Sequence, residues 1–243
     1  MEKILAGKSA LVTGGARRIG RTIALALAEA GANVAITYRG SQSEAEDTVR
    51  ALAEFGGEAM AVRCDVRDAL NVRECVGEVA SEFGGLDLLV NNAGVFETAA
   101  LEEISIEQWD AMFETNTRGP FLMAQAAHKH LKAAQGRIVN IGSLGGNHPW
   151  STHAHYCTSK AALHMLSQTM AKAWAPAISV NCVAPGMIVG GEGGDAAYEH
   201  YIQKTPMRRN GTAAEVAAAV LFFATGPHFI TGQLMAVDGG LGL

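Results

Sequence analysis

The stretch Leu11-Val12-Thr13-Gly14-Gly15-Ala16-Arg17-Arg18-Ile19-Gly20 lies between a short apolar run and a long Ala/Leu-rich segment of helical pattern. A strand, a glycine-containing turn and a helix in that order can cradle a pyrophosphate. Glycines let the backbone come close, and the helix N-terminus offers unpaired N–H groups at the positive end of its dipole. The spacing reads Gly14-x3-Arg18-x-Gly20, so Arg18 occupies the middle glycine position of the usual G-x-G-x-x-G fingerprint. Glycine-rich turns also open many helices that bind nothing, so the reading rests on what surrounds this loop.

Working outward, β-branched runs alternate with helical segments. Strands are expected at 9–13, 33–37, 59–63, 86–91, 137–142, 179–183 and 233–237, and helices at about 18–30, 42–55, 68–83, 106–133, 154–174 and 212–224. The strands are apolar at consecutive positions, as strands covered by helices on both faces are. With right-handed crossovers this predicts an α/β chain: a single-domain Rossmann fold over 1–243, a doubly wound, seven-stranded parallel sheet with helices on both faces. No Pro- or Ser-rich linker divides the chain, and no repeat period is present.

Composition narrows the function classes. Of 243 residues 49% are hydrophobic and 18% charged, enough for a sizeable core, and the net charge of -5 argues against nucleic acid or an anionic membrane as partner. No apolar run approaches the roughly 20 residues of a membrane span. The first residues lack a signal-peptide apolar region, so a cytoplasmic location is expected. Cys64, Cys75, Cys157 and Cys182 are widely spaced and read as buried thiols. No metal site is expected, and a solvated loop accounts for His148, His153 and His155.

Ligands of such a sheet sit beyond the carboxyl ends of its strands, and the chemically interesting residues fall there. After the second strand stand Tyr38-Arg39-Gly40-Ser41, with no acid before Glu44 to bind an adenosine ribose as in NAD sites. Arg39, Ser41 and Arg17 can instead surround a 2′-phosphate, which favours NADP(H). After the third, Asp65 can accept from the adenine amino group with Val66 as an apolar wall, though a strand-end Asp is more often a helix cap, as Asp68 can be. After the fourth, Asn92, Ala93 and Gly94 are small residues where a cofactor would cross the sheet.

Thr115-Asn116-Thr117 interrupts an amphipathic run, and a mid-helix Asn marks a local bulge. Ser143 ends the fifth strand, and Tyr156 and Lys160 lie one helical turn apart on one face. Tyrosine is a poor acid at neutral pH, with an unperturbed pKa of about 10. A lysine ammonium nearby, together with an oxidised nicotinamide's positive charge, would stabilise the phenolate and lower that value, so Tyr156 can protonate a carbonyl oxygen while Ser143 donates a second hydrogen bond to the developing oxyanion.

With these residues in view, the chain resembles the short-chain dehydrogenase/reductase family over essentially its whole length. The carriers are the loop from Thr13 to Gly20, Asp65, Asn91-Asn92-Ala93-Gly94, Asn116, Ser143, Tyr156 with Lys160, Pro185-Gly186, and the closing Ile230-Thr231-Gly232-Gln233 and Val237-Asp238-Gly239-Gly240. The resemblance implies a catalytic tetrad of Asn116, Ser143, Tyr156 and Lys160. Asn116 would hold a water that relays protons to Lys160, and Lys160 would also bond the nicotinamide ribose. The cofactor set becomes Gly14, Arg17, Arg18, Ile19, Gly20, Arg39, Ser41, Asp65, Val66, Asn92, Ala93, Gly94, Tyr156, Lys160, Pro185, Gly186 and Ile188. The last strand would serve the subunit interface of a homotetramer. The departures are Arg18 for a family glycine, Gly190 where a threonine is frequent, and a glycine-rich run, Gly190-Gly191-Glu192-Gly193-Gly194, that predicts a mobile substrate lid at about 187–211.

Within the family the nearest analogy is to 3-oxoacyl-carrier-protein reductases, so an NADPH-dependent reduction of a 3-oxoacyl-type ketone, free or as an acyl thioester, is expected. Ala134-Gln135 and Pro176-Ala177 are neutral where basic residues often grip an acidic carrier, with Lys129, Lys132 and Lys172 nearby. Pteridine reductases, similar in the Arg17-Arg18 loop and in Phe96, supply a second reading, although they place an aspartate at the position of Ser143. Phe96 and Trp150 are the candidate substrate residues. A non-catalytic NADP-sensing protein on the same fold is a third reading, disfavoured because binding alone needs no Tyr-Lys pair.

Overall fold

The first strand, β1 (Ser9–Val12), is buried at all four positions. Its side chains alternate between two apolar layers. Ala10 and Val12 join Ile23 and Leu27 on one face, and Leu11 joins Leu89 and Met123 on the other. That double burial is why the strand reads as an apolar run rather than an alternation.

A computed structural model describes residues 3–189 and 199–243. Helix α1 (Arg18–Glu29) follows β1, with Ile23, Ala24, Leu27 and Ala28 on its buried stripe. Then come β2 (Asn33–Tyr38), α2 (Gln42–Ala53), β3 (Ala59–Arg63), α3 (Ala69–Glu82) and β4 (Leu88–Asn91). Asp68 caps α3 by accepting from the N–H groups of Leu70 and Asn71. Helices α4 (Ile106–Phe113) and α5 (Gly119–Ala134) precede β5 (Arg137–Ile141), α6 (Ala154–Trp174) and β6 (Ser179–Pro185). The chain closes through β7 (Ile188–Val189), α7 (Glu199–Lys204), β8 (Gly211–Thr212), α8 (Ala213–Thr225) and β9 (Leu234–Val237).

The main sheet has seven parallel strands in the order β3-β2-β1-β4-β5-β6-β9. Helices α1, α2 and α8 pack on one face, and α3, α5 and α6 on the other. Strand order reverses between β1 and β4, where Ala10 pairs with Leu88, and the crevice at that reversal is where such sheets take ligands. All four cysteines are buried free thiols.

One expected feature takes a definite form, and two others depart from the expectation. The helix read across 106–133 is broken by a π-helical turn, Glu114–Arg118, because Asn116 spends its side chain on another loop. The fourth strand starts at Leu88 and the sixth runs on to Pro185. The segment read as a lid holds a short β7–β8 ladder and α7, while residues 190–194 lie outside the described residues.

Candidate functional site

The turn after β1 is wound tightly. Gly14 adopts φ +62°, a left-handed conformation that costs glycine nothing. Its N–H donates to Thr37 Oγ1 at 3.1 Å, and Thr13 Oγ1 accepts from the N–H groups of Asn92 and Ala93, each at 2.9 Å. The loops that follow β1 and β4 and the end of β2 are thereby tied together at the reversal point. A Cβ on Gly20 would lie 2.3 Å from the Gly14 carbonyl oxygen, so only glycine permits this approach. No side chain caps α1, which leaves its first-turn N–H groups available to an anion. Such a cradle fits a dinucleotide pyrophosphate.

A cleft of about 650 Å³ runs across these strand ends. It is lined by Gly14, Arg17, Arg18, Ile19 and Gly20, then by Arg39 and Ser41, Asp65 and Val66, and finally Asn92, Ala93 and Gly94. Every residue singled out for the adenosine and pyrophosphate end is on this wall.

The side chains divide the work differently from the sequence reading. Asn92 gives its amide to the Thr13 and Gly14 carbonyls at 2.8 and 3.1 Å, so it orders the loop. The Asp65 carboxylate is gripped by the Arg67 guanidinium, with Nη2 at 2.6 Å, which holds its pKa below the ordinary carboxylate value. Glu44, the first acid after the second strand, lies on the same wall.

A second cleft of about 520 Å³ shares Arg18, Ile19, Asn92, Gly94 and Val95 with the first. Ser143, Tyr156, Lys160, Pro185, Gly186, Ile188, Phe96 and Trp150 line it, together with Met187 and Ala213, which the sequence did not suggest. Tyr156 and Lys160 stand one turn apart on α6. Lys160 is 5% exposed and donates to the Ile141 carbonyl at 2.8 Å, and burial pulls its pKa down to about 8. Burial raises the Tyr156 phenol above its ordinary value, and the nearby Ser143 side chain opposes that rise. The expected lowering rests on the Lys160 ammonium together with the charge of an oxidised nicotinamide, and in the protein alone burial is the larger influence. The ammonium is itself desolvated and turned to the end of β5, so the phenol of the free protein stays protonated.

Asn116 reaches the site through the π-helical turn. Its Oδ1 accepts from Val95 N–H at 2.9 Å, and its Nδ2 donates to the Val95 carbonyl at 3.0 Å and to Ser159 Oγ at 3.1 Å. Gly94 lies between Asn116 and Lys160. A Cβ there would stand 3.2 Å from Asn116 Oδ1 and 3.7 Å from Lys160 Nζ.

Aromatic rings wall the mouth. Phe96 stacks on His153 at 4.7 Å and meets Tyr156 edge-on at 4.8 Å, and Trp150 lies nearly parallel to Tyr156 at 6.1 Å. His153 belongs to this wall, and His155 is fully buried with both ring nitrogens lacking a hydrogen-bond partner. His155 is thus not the solvated loop histidine the sequence suggested, because α6 turns it inward, whereas His153 stands half-exposed in the loop before that helix.

The chain's last segment closes the far side. Gly186 N–H donates to the Val237 carbonyl at 3.0 Å, and Asp238 accepts from Gly240 and Gly242. Gly242 rests against Leu144 and His148. Among the described residues no cluster of three or more His, Cys, Asp or Glu is arranged to hold a metal, and no helix is long and apolar enough to cross a membrane.

Known proteins match this arrangement. A family model described as enoyl-(acyl carrier protein) reductase matches residues 14–242. The chain is 39% identical over 240 residues to a 3-oxoacyl-[acyl-carrier-protein] reductase of Staphylococcus aureus, covering 96% of this chain and 98% of that protein. It superposes on a short-chain dehydrogenase/reductase of Serratia marcescens with a TM-score of 0.94 and 38% identity, over 98% of this chain and 99% of the other. A short-chain dehydrogenase of Burkholderia cenocepacia solved in complex with NADP gives 0.91 and 39%, again over 98% and 99%. With the strand order, the glycine loop and the paired clefts, these likenesses establish that the chain belongs to the short-chain dehydrogenase/reductase family of oxidoreductases.

Proposed function

We propose that the protein is an NADPH-dependent carbonyl reductase acting on a ketone of the 3-oxoacyl type. The observation that carries this reading is the convergence of Ser143, Tyr156 and Lys160 on the second cleft, where that cleft joins the dinucleotide cleft. When bound, the reduced nicotinamide would supply a hydride to the carbonyl carbon. Tyr156, protonated in the free protein, donates its proton to the carbonyl oxygen, and Ser143 Oγ donates a second hydrogen bond to that oxygen. The phenolate left behind is stabilised by the Lys160 ammonium. Asn116 keeps the Val95 backbone in place beside Lys160. Pro185, Gly186 and Ile188 are assigned to the nicotinamide side.

Arg17, Arg18 and Arg39 favour a 2′-phosphate, and the Asp65 carboxylate is already neutralised by Arg67. The NADP held by the Burkholderia relative is consistent with that choice. Arg39→Ala is expected to raise KM for NADPH roughly 10- to 100-fold and to leave NADH nearly unaffected. The reading treats 1–243 as one domain with a lid at about 187–211, in a cytoplasmic homotetramer. Apolar surface left open at Ile106, Phe121 and Met165 supports an assembly through α4–α6, which light scattering tests.

The aromatic wall favours a second reading, a flat carbonyl or pterin substrate resting on Phe96 and Trp150. NADPH oxidation against acetoacetyl-CoA, diacetyl, a sugar lactone and a dihydropterin separates the two. Turnover of acetoacetyl-CoA supports the first, and turnover of the dihydropterin alone supports the second. Tyr156→Phe is expected to cost roughly 10²- to 10⁴-fold in kcat with NADPH binding retained. A variant that keeps its turnover would remove Tyr156 as the acid.

A further inference from the structure

Helix α6 places His164 one turn beyond Lys160 on the same face, 8% exposed and beneath the Ser143 loop. The Ser143 backbone N–H donates to His164 Nε2 at 3.3 Å, and His164 Nδ1 stands 3.0 Å from Asn147 Oδ1. An N–H can only donate, so Nε2 is the bare nitrogen, and Nδ1 carries the proton given to Asn147. Burial, with the Lys160 ammonium nearby, holds the imidazole pKa down at about 4, so the ring is neutral at working pH.

The loop is built to the ring's dimensions. A Cβ on Gly142 would come within 2.3 Å of His164 Nε2, and one on Gly146 within 2.4 Å of its Cε1. Glycines on both sides of Ser143 thus let the backbone close over the imidazole. The same turn bends Gly145 N–H onto Ser143 Oγ at 3.1 Å and Gly146 N–H onto the Ser143 carbonyl at 3.0 Å.

We propose that His164 is a positioning residue for Ser143: the neutral ring, clamped between Gly142 and Gly146 and tethered to Asn147, holds the Ser143 backbone so that its hydroxyl faces the carbonyl site. This rests on Ser143 serving as a hydrogen-bond donor to the substrate, and the test separates the two claims. Nothing in the role requires His164 to touch substrate or to exchange a proton during turnover. It acts through the loop alone.

The experiment is a double-mutant cycle of His164 with Ser143, read as kcat with NADPH and acetoacetyl-CoA, or with whichever compound of the panel above is reduced fastest. His164→Leu is expected to lower kcat roughly 10- to 100-fold while KM for NADPH stays unchanged. His164→Gln, whose amide oxygen can accept the same N–H, is expected to stay within about threefold of the parent. In the Ser143→Ala background His164→Leu should add less than about twofold, since its effect has no other route. Multiplying losses, a Gln variant as poor as Leu, or an unimpaired Leu variant would each overturn the proposal. If the Leu variant fails to fold, Asn147→Leu at the exposed end of the tether decides: a several-fold loss of kcat that vanishes with Ser143→Ala supports the role, and no loss, or one that persists there, overturns it. A Ser143→Ala protein with full turnover, or no turnover of any panel compound, would bring down the functional reading and this proposal with it.

Discussion

Arg18 is held at φ +51°, where an L side chain costs about 1–2 kcal/mol and glycine costs nothing. Glycine also loses more entropy on folding, so Arg18→Gly is expected to gain at most about 1 kcal/mol in thermal or urea unfolding. The same change removes a cation from both clefts, and NADPH should bind more weakly in a fluorescence titration. A rise in stability coupled to a loss of affinity would identify Arg18 as strain retained for a ligand. Lys160 gives a second residue-scale expectation. Its folded pKa, about 8, lies below the ordinary lysine value of 10.5, so above pH 8 the site loses its ammonium and carbonyl reduction should decline. The sign for stability is opposite. The unfolded chain binds more protons between those values, so this group's contribution grows as pH rises through that window and is lost as pH falls through about 8. A kcat–pH profile and unfolding midpoints measured between pH 7 and 10 check both.

At the scale of elements, the π-helical turn Glu114–Arg118 interrupts the helical run so that Asn116 can satisfy both backbone groups of Val95. Asn116→Ala leaves that N–H and C=O without those partners and is expected to cost about 1–3 kcal/mol in unfolding free energy, with a fall in kcat. The break was legible in the sequence because a buried-side Asn in an amphipathic run has no comfortable helical role. The β7–β8 ladder was not, since two residues per strand carry no periodicity. Strands such as β1 and β5 were legible as apolar runs bounded by glycine, and the residues at their ends followed. Side-chain pairings formed after folding were hidden. Nothing in Cys64-Asp65-Val66-Arg67 says that Arg67 will turn back on Asp65, and His153 gives no sign in sequence that it will stack on Phe96. The burial of His155 depends on which side of the first turn of α6 packs inward, since the helix itself begins where the sequence placed it.

At the scale of the whole molecule, the parallel sheet order gathers the site from the ends of β1, β2, β3, β4, β5 and β6, and the segment after β9 completes it. Gly186 leans on Val237, Asp238 curls the chain back, and Gly242 settles against Leu144 and His148. Deleting residues 238–243 is expected to depress turnover and to lower Tm by about 2–4 °C for each kcal/mol of contact removed. An unchanged kcat in the truncated protein would count against this closure. In terms of synthesis, a nascent chain whose residues up to 160 have emerged already owns Asn116, Ser143, Tyr156 and Lys160. It does not yet own the wall behind Ser143. Full competence is therefore expected only after residues beyond 237 leave the ribosome, and a stalled or clipped product would hold the proposed catalytic side chains in an unfinished frame.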